Sequence, residues 1–109
     1  MATSYKILGQ TGDASANDVT LYTVPASTET IVSTIVVCNR EAADNTFRIA
    51  VKENGGSVAN EDYLAYDTTI SANDTITLTL GITIDATDVI SVGASDANVS
   101  FSAFGSEIS

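Results

Sequence analysis

The 109-residue sequence contains no histidine and no tryptophan, and it has only one cysteine, one proline and one methionine. Without histidine, the chain cannot form a Ser-His-Asp or Cys-His nucleophile, an imidazole general base or a histidine metal site. A single cysteine excludes an internal disulfide and the usual thiolate zinc sites. No glycine-rich phosphate-binding motif is present. We therefore expect a protein without enzymatic activity, catalytic residues, a cofactor or a bound metal.

Positively charged residues are also scarce: there are four basic residues and 14 acidic ones, and the net charge is −10. An acidic surface repels nucleic-acid phosphates and anionic lipids, so neither nucleic acid nor a membrane is an expected partner. No basic residue follows Lys52, so the second half is either a solvated anionic surface or the site of a cation or basic partner. The N-terminus lacks the pattern of a signal peptide, and no apolar run approaches the roughly 18 residues of a membrane span. We expect the chain to be made and used in a cytoplasm, or in a particle assembled there.

Acidic pairs in the predicted turns are the remaining candidates for chemistry. Three pairs could offer oxygen ligands to calcium: Asp13 with Asp18, Glu61 with Asp62, and Asp85 with Asp88. None has the spacing of an EF-hand loop, and aspartate is common in turns because it bonds nearby backbone amides, so solvated turns are favoured. The last two pairs could also serve a glycosidase, but so short a chain would struggle to line a deep cleft. Four tyrosines could form a sugar-stacking face, although tyrosine is also an ordinary sandwich residue.

Alternation of apolar and polar residues is the strongest positive signal. Between Asp74 and Asp85 every second residue is aliphatic and most of the others are threonine, which is typical of a strand with one buried face. Gly81 predicts a bulge or kink in that strand. Further segments separated by Gly, Asn, Asp and Ser clusters predict about eight strands in all, near residues 5–8, 19–24, 30–40, 47–52, 63–70, 74–85, 89–94 and 99–104. Leu64, Tyr66 and Ile70 are expected to share one face. We predict an all-β protein with a single domain over residues 1–109, an antiparallel β-sandwich of jelly-roll or Greek-key type.

The third predicted strand breaks the pattern, because apolar residues between Ile31 and Cys38 face both ways. One interpretation is a bulge at residues 33–34 that swaps the faces of a central strand. The other is that a second subunit covers the outer face, since several exposed aliphatic side chains would be costly. Phe104 and Ile108 near the C-terminus favour an oligomer further. The candidate subunit-interface residues are Val32, Val36, Cys38, Phe104 and Ile108. Cys38 is separately expected to be a buried, unreactive apolar residue.

Five segments, taken in order, resemble a type of small β-sandwich protein found in the virions of tailed bacteriophages. They are residues 21–26 (LYTVPA), 35–40 (IVVCNR), 70–75 (ISANDT), 88–92 (DVISV) and 104–108 (FGSEI), and the likeness extends over nearly the whole chain. Such proteins are capsid decoration (cement) proteins or modules of head fibres and tails. The resemblance implies a decoration protein in the virion that stabilises the head, binds the phage major capsid protein and forms a homo-oligomer, in particular a trimer. The alternative is a carbohydrate- or receptor-binding sandwich module of a phage tail or fibre.

Overall fold

The computed structural model describes residues 2–109, and this range contains eight strands, one 3₁₀ turn at Asn60–Asp62 and no α-helix. The all-β prediction of about eight strands is therefore confirmed. The most regular alternating segment of the sequence forms one continuous ten-residue strand. The strands are β1 (Thr3–Thr11), β2 (Val19–Thr23), β3 (Glu29–Asn39), β4 (Asn45–Lys52), β5 (Tyr63–Ile70), β6 (Thr75–Ile84), β7 (Val89–Ala94) and β8 (Val99–Ile108).

The strands form two four-stranded sheets with the connectivity of a jelly roll. Sheet I has the order β1-β8-β3-β6, and sheet II has the order β2-β7-β4-β5. All pairings are antiparallel, and the first strand pairs with the eighth, the second with the seventh, the third with the sixth and the fourth with the fifth. This is the order that results when one long hairpin folds over on itself, which defines the jelly roll. The predicted sandwich is confirmed, and of its two predicted forms the jelly roll is the one observed.

The core lies between the inner faces of the two sheets. Phe47 of sheet II meets Phe101 of sheet I edge to face, with ring centroids 6.3 Å apart. Each fully buried large aliphatic side chain contributes about 1.5–3 kcal/mol to stability. The largest fully buried side chains are Phe47, Phe101, Ile35, Ile49, Ile70, Ile90, Val24, Val32, Val37, Val92, Val99 and Asn39.

A bulge in the middle of β3 exchanges its inward and outward residues. The pairing of β3 with each of its neighbours, β6 and β8, shifts in register between Val32 and Thr34. Before the shift Val32 points into the core, and after it Ile35 and Val37 do. The predicted bulge at residues 33–34 is therefore confirmed. Gly81 of β6 lies opposite it with a φ of +63°, which confirms the predicted irregularity there.

A second bulge overturns one prediction about β5. Leu64 and Tyr66 are exposed, whereas Ile70 is fully buried, so the expectation that they share a face is wrong. On β4, Phe47 pairs with Thr68 and Ile49 pairs with Ala65. Between these two pairs β5 therefore has one more residue than β4. The extra residue reverses the alternation because each step along a strand changes the face.

Candidate functional site

The structure places most of the predicted interface residues on one surface, the outer face of sheet I. Val36, Cys38, Phe104 and Ile108 all lie there and are half-buried by their neighbours on adjacent strands. Val32 does not, because it lies before the β3 bulge and is only 1% exposed in the core. Its assignment to a subunit interface is therefore wrong. Cys38 is half-buried on the outer face, so its predicted position in the core is wrong as well.

The outer face of sheet I is almost free of charge, and we call it the neutral face. Among its outward side chains in the described part of the chain, only Glu29, at one end, is charged at neutral pH. The acidic residues are concentrated in the loops instead, and only Glu29, Asp67 and Glu107 lie within strands. The outward side chains of the neutral face are Thr3, Tyr5, Ile7 and Gln10 of β1, Ser100, Ser102, Phe104, Ser106 and Ile108 of β8, Glu29, Ile31, Ser33, Thr34, Val36 and Cys38 of β3, and Thr75, Thr77, Thr79 and Thr83 of β6.

An apolar groove crosses the neutral face over β1, β8 and β3. Its exposed side chains are Tyr5, Ile7 and Ile31, at 85%, 55% and 39% exposure. Ile7 pairs with Phe104, while Tyr5 and Ile31 flank Ser106 from opposite sides. The groove is open and has a volume of about 490 Å³. Clustered apolar side chains of this kind, rimmed by serine and threonine, mark interaction surfaces more often than isolated exposed residues do.

A polar network beneath this end of sheet I joins the two sheets. The Tyr22 hydroxyl of β2 donates to Oε2 of Glu107 at 2.5 Å, and its oxygen lies 2.8 Å from Oγ1 of Thr30. Nζ of Lys6 lies 2.6 Å from Oε1 of the same glutamate. Burial and the glutamate raise the pKa of Tyr22 to about 12, and the Lys6 ammonium with the Tyr22 hydroxyl holds the pKa of Glu107 below its usual value.

In each acidic pair considered for calcium, at least one carboxylate holds a backbone amide in a turn. Asp13 accepts from the Ser15 amide at 2.9 Å, and Asp62 accepts from the Ala59 amide at 2.8 Å. Asp88 bridges two amides, those of Asn54 and Asp85, each at 2.9 Å. Within residues 2–109 no three Asp, Glu, Cys or His side chains are placed together to hold a metal ion. Asp13, Asp62 and Asp88 therefore perform the turn chemistry that the sequence favoured, whereas Asp18 pairs with Lys52.

The outer face of sheet II carries a different surface, the Arg48 groove, lined by Asn17, Asp18, Arg48, Tyr63, Asp67 and Ser91. Arg48 makes a two-pronged ion pair with Asp67, with Nε–Oδ1 and Nη2–Oδ2 distances of 2.6 and 3.2 Å. Its guanidinium lies 4.2 Å from the centre of the Tyr66 ring. The Tyr63 ring in turn meets Tyr66 edge to face at 4.8 Å.

Only two of the four tyrosines considered for sugar stacking come together. Tyr63 and Tyr66 are neighbours at the Arg48 groove, whereas Tyr22 is buried in the core and Tyr5 lies on the neutral face. The four do not form one face because Tyr5 belongs to sheet I, and Tyr22, although it belongs to sheet II, points into the core. Arg48 and Ser91 of this groove carried no signal in the sequence, since isolated Arg and Ser residues are common on strands.

The Arg48 groove consists of two adjoining pockets of about 180 and 190 Å³ that share Asn17 and Arg48. Ser91 lines the second pocket; it is 1% exposed, and its hydroxyl has no partner in hydrogen-bond geometry among the described residues. Asp18 lies beside it and pairs with Lys52 at 3.0 Å. Partial burial raises the pKa of Asp18, but the Lys52 ammonium and the Ser91 hydroxyl outweigh that effect and leave the pKa lowered. The Ser91 hydroxyl therefore interacts with the Asp18 carboxylate, although the two do not meet in full hydrogen-bond geometry.

The chain matches no protein-family model, no curated protein and no solved structure. Among the described residues there is no helix with the length and apolar character needed to cross a membrane.

Proposed function

We propose that this protein is a non-enzymatic structural protein of a tailed-phage virion, a capsid decoration (cement) protein that stabilises the head as a homotrimer. The neutral face is the observation that supports an assembly role. It places Tyr5, Ile7 and Ile31 in water on a surface whose other outward side chains are mostly serine, threonine and half-buried apolar residues. The phage setting and the threefold symmetry are supported by the sequence resemblance.

The occupant we assign to the neutral face is a second copy of the same chain. Each copy carries a net charge of −10, so two copies repel each other wherever their acidic loops meet. The neutral face is the extended surface on which copies can approach without opposing carboxylates. Burying one of its large apolar side chains contributes up to about 1.5–3 kcal/mol. Three copies around a threefold axis can each turn this face towards the axis.

The partner of the assembled trimer is the phage major capsid protein. Acidic loops suit this role because they keep an abundant protein soluble before assembly and away from the packaged genome. A jelly roll with a continuous core also needs no cofactor to stay folded, and a protein that holds a shell together by surface complementarity requires no reactive side chain.

Quantitative mass spectrometry of virions purified from the source strain tests the proposed function. A decoration protein is expected at a copy number comparable to that of the major capsid protein, and it stays with tail-free heads. A copy number comparable to that of tail-fibre proteins supports the second candidate, a carbohydrate- or receptor-binding module of a tail or fibre. The Arg48 groove, with its paired tyrosines and polar lining, favours that candidate. Absence from virions contradicts both.

A further inference from the structure

The outer edge of β6 is a long strand edge that residues 2–109 leave open. β6 pairs only with β3 and forms the end of sheet I opposite to β1. Its sequence contains no charged residue and no proline. An edge strand presents a row of backbone N–H and C=O groups without partners, and natural proteins protect it with charges, prolines, bulges or a short length. We infer that β6 binds an extended segment of another protein, which adds to sheet I as a fifth strand and carries basic residues at its ends.

The other sheet edges of the described chain are better protected. β1 and β2 close one side of the sandwich, because Gly9 lies so near the carbonyl oxygen of Leu21 that no Cβ fits between them. β2 is also only five residues long. β5 is interrupted by a bulge next to Asp67, which carries a charge and has a φ of +48°. β6 has only the irregularity at Gly81, which leaves Thr75–Thr79 in regular register with β3.

A row of apolar side chains along β6 would be covered by an added strand. Ile76, Leu78 and Ile82 pack against the core but are only half-buried. Leu80 is 47% exposed. These side chains stay partly in water because no strand of residues 2–109 flanks β6 on this side. Opposed side chains on adjacent strands lie about 4.5–5.5 Å apart at Cβ, so alternating apolar residues on the partner would extend the core.

The ends of β6 are negatively charged, and this charge defines the flanks of the partner segment. Asp74 precedes the strand and Asp85 follows it. Beside the second end, Glu29, Asp85 and Asp88 line an open groove of about 390 Å³, which Ile84 also lines. No ion pair among residues 2–109 includes any of these carboxylates. A lysine or arginine fits such a groove, because its aliphatic stem packs on the apolar lining while its charged head meets the carboxylates.

The same charges disfavour a second copy of β6 as the occupant. In a twofold-symmetric pair of β6 strands, which is antiparallel, Asp74 of one copy would approach Asp85 of the other. Like charges at facing positions are destabilising, and each chain already carries a net charge of −10. The occupant is therefore a different protein, with alternating apolar residues between basic flanks. The β6 edge is also separate from the apolar groove assigned to self-assembly, which lies over β1, β8 and β3.

A nuclear magnetic resonance titration of the ¹⁵N-labelled protein with synthetic capped peptides tests the inference. The basic probes are KTVTVTVK and RTITITIR. One control peptide, ETVTVTVE, reverses the flanking charge, and another, KTVPVTVK, places a proline in the centre, which removes a backbone donor. At least one basic probe is expected to cause saturable shifts of the amide signals of Thr77 and Thr79. Both control peptides are expected to bind about tenfold more weakly or less.

Two pairs of protein variants locate the binding on β6. Leu80→Lys places a charge on the open edge and is expected to weaken binding of the basic probe about tenfold. Leu64→Lys adds the same charge at a similarly exposed residue of sheet II and should bind as the wild type does. Glu29→Gln removes one carboxylate of the groove and is expected to weaken binding about threefold. Glu53→Gln, in the exposed connection between β4 and β5, is its control. Circular dichroism should be unchanged in all the variants.

Three results overturn the inference. The first is the absence of saturable shifts in β6 with both basic probes at millimolar concentration. The second is equal binding of either control peptide, or equal binding by the wild type and Leu80→Lys. The third is loss of self-assembly in Leu80→Lys, which would show that β6 binds a second copy of the chain. The titrations use the isolated protein with an intact neutral face, so they succeed or fail independently of its place in a virion.

Discussion

Ile7 of β1 and Phe104 of β8 are paired in register, and both point away from the core on the neutral face. Ile7 keeps 55% of its surface in water, and Tyr5 and Ile31 extend the apolar area on either side. Monomeric soluble proteins rarely leave adjoining large apolar side chains exposed in this way. The pairing of Ile7 with Phe104 therefore marks the centre of the surface that we assign to assembly.

A charge placed at that centre should break the oligomer without unfolding the chain. In the Ile7→Glu variant, assembly would bury an unpaired carboxylate, which costs far more than the contact contributes. The matched control is Leu64→Glu, which adds the same charge at a similarly exposed apolar residue of sheet II. Sedimentation velocity should show a smaller particle for Ile7→Glu alone, with unchanged circular dichroism in both variants. An equal loss of assembly in the two variants would place the interface elsewhere.

Gly105 should be essential to the packing of β8 on β3. A Cβ at this position would meet the backbone oxygen of Ile31 at 2.0 Å, and a backbone atom cannot rotate away. Gly105→Ala is expected to lower the free energy of unfolding by about 1–3 kcal/mol or more. Gly12→Ala, where a Cβ meets nothing within 4 Å, is the control. Urea denaturation that shows the same midpoint for both variants would contradict the close approach of the two strands.

Removing the charge of Glu107 should lower the free energy of unfolding and make it depend less on pH in the acidic range. The pKa of Glu107 is lowered by Lys6 and Tyr22, so its contribution is complete above the ordinary value of 4.5 and is lost as the pH falls through the lower folded-state pKa. Glu107→Gln is expected to lower the free energy of unfolding by about 1 kcal/mol at neutral pH and by less at acidic pH. The exposed Glu29→Gln is the control. A constant difference between the wild type and Glu107→Gln at every pH would refute the role of this carboxylate.

The hydroxyl of Ser91 leads to an unusual expectation for a buried polar residue. Ser91→Ala should change the free energy of unfolding by less than about 1 kcal/mol, because the hydroxyl has only the Asp18 carboxylate nearby and does not meet it in full hydrogen-bond geometry. Ser91→Thr, which keeps the hydroxyl and adds a methyl group, separates the effect of polarity from that of volume. Thermal unfolding of the unliganded protein is the measurement. A clear loss of stability in Ser91→Ala would mean that the hydroxyl is paired.

Sequence patterns predicted the elements of this fold better than the faces that the elements present. The alternation in β6, the irregularity at Gly81 and the bulge at residues 33–34 are local properties, and each is confirmed. Val32 points inward and Cys38 points outward because they lie on opposite sides of the bulge. A shift of the bulge by one residue would exchange the inward and outward faces. The end of β8 at Ile108, four residues beyond the prediction, is set by its ladders with β1 and β3.

The Arg48 groove was beyond prediction for a different reason. Its residues come from the β1–β2 loop and from β4, β5 and β7, and only the jelly-roll connectivity brings them together. The left-handed backbone of Asp67 creates the β5 bulge at the residue that pairs with Arg48. No local period in the sequence encodes such a long-range arrangement, so neither the ion pair nor the buried Ser91 had a recognisable signature.

Light scattering coupled to size exclusion, on the purified protein at micromolar concentration, tests whether copies of the chain assemble through the neutral face. We expect a homo-oligomer with three times the 11.3 kDa mass of one chain, in which the neutral face is covered by other copies. Moderate salt should strengthen the assembly, since screening weakens the repulsion between chains of net charge −10. A uniform particle of 11.3 kDa at micromolar concentration, with and without moderate salt, would contradict the proposed assembly, because the exposed side chains around Ile7 and Phe104 would then have no partner chain.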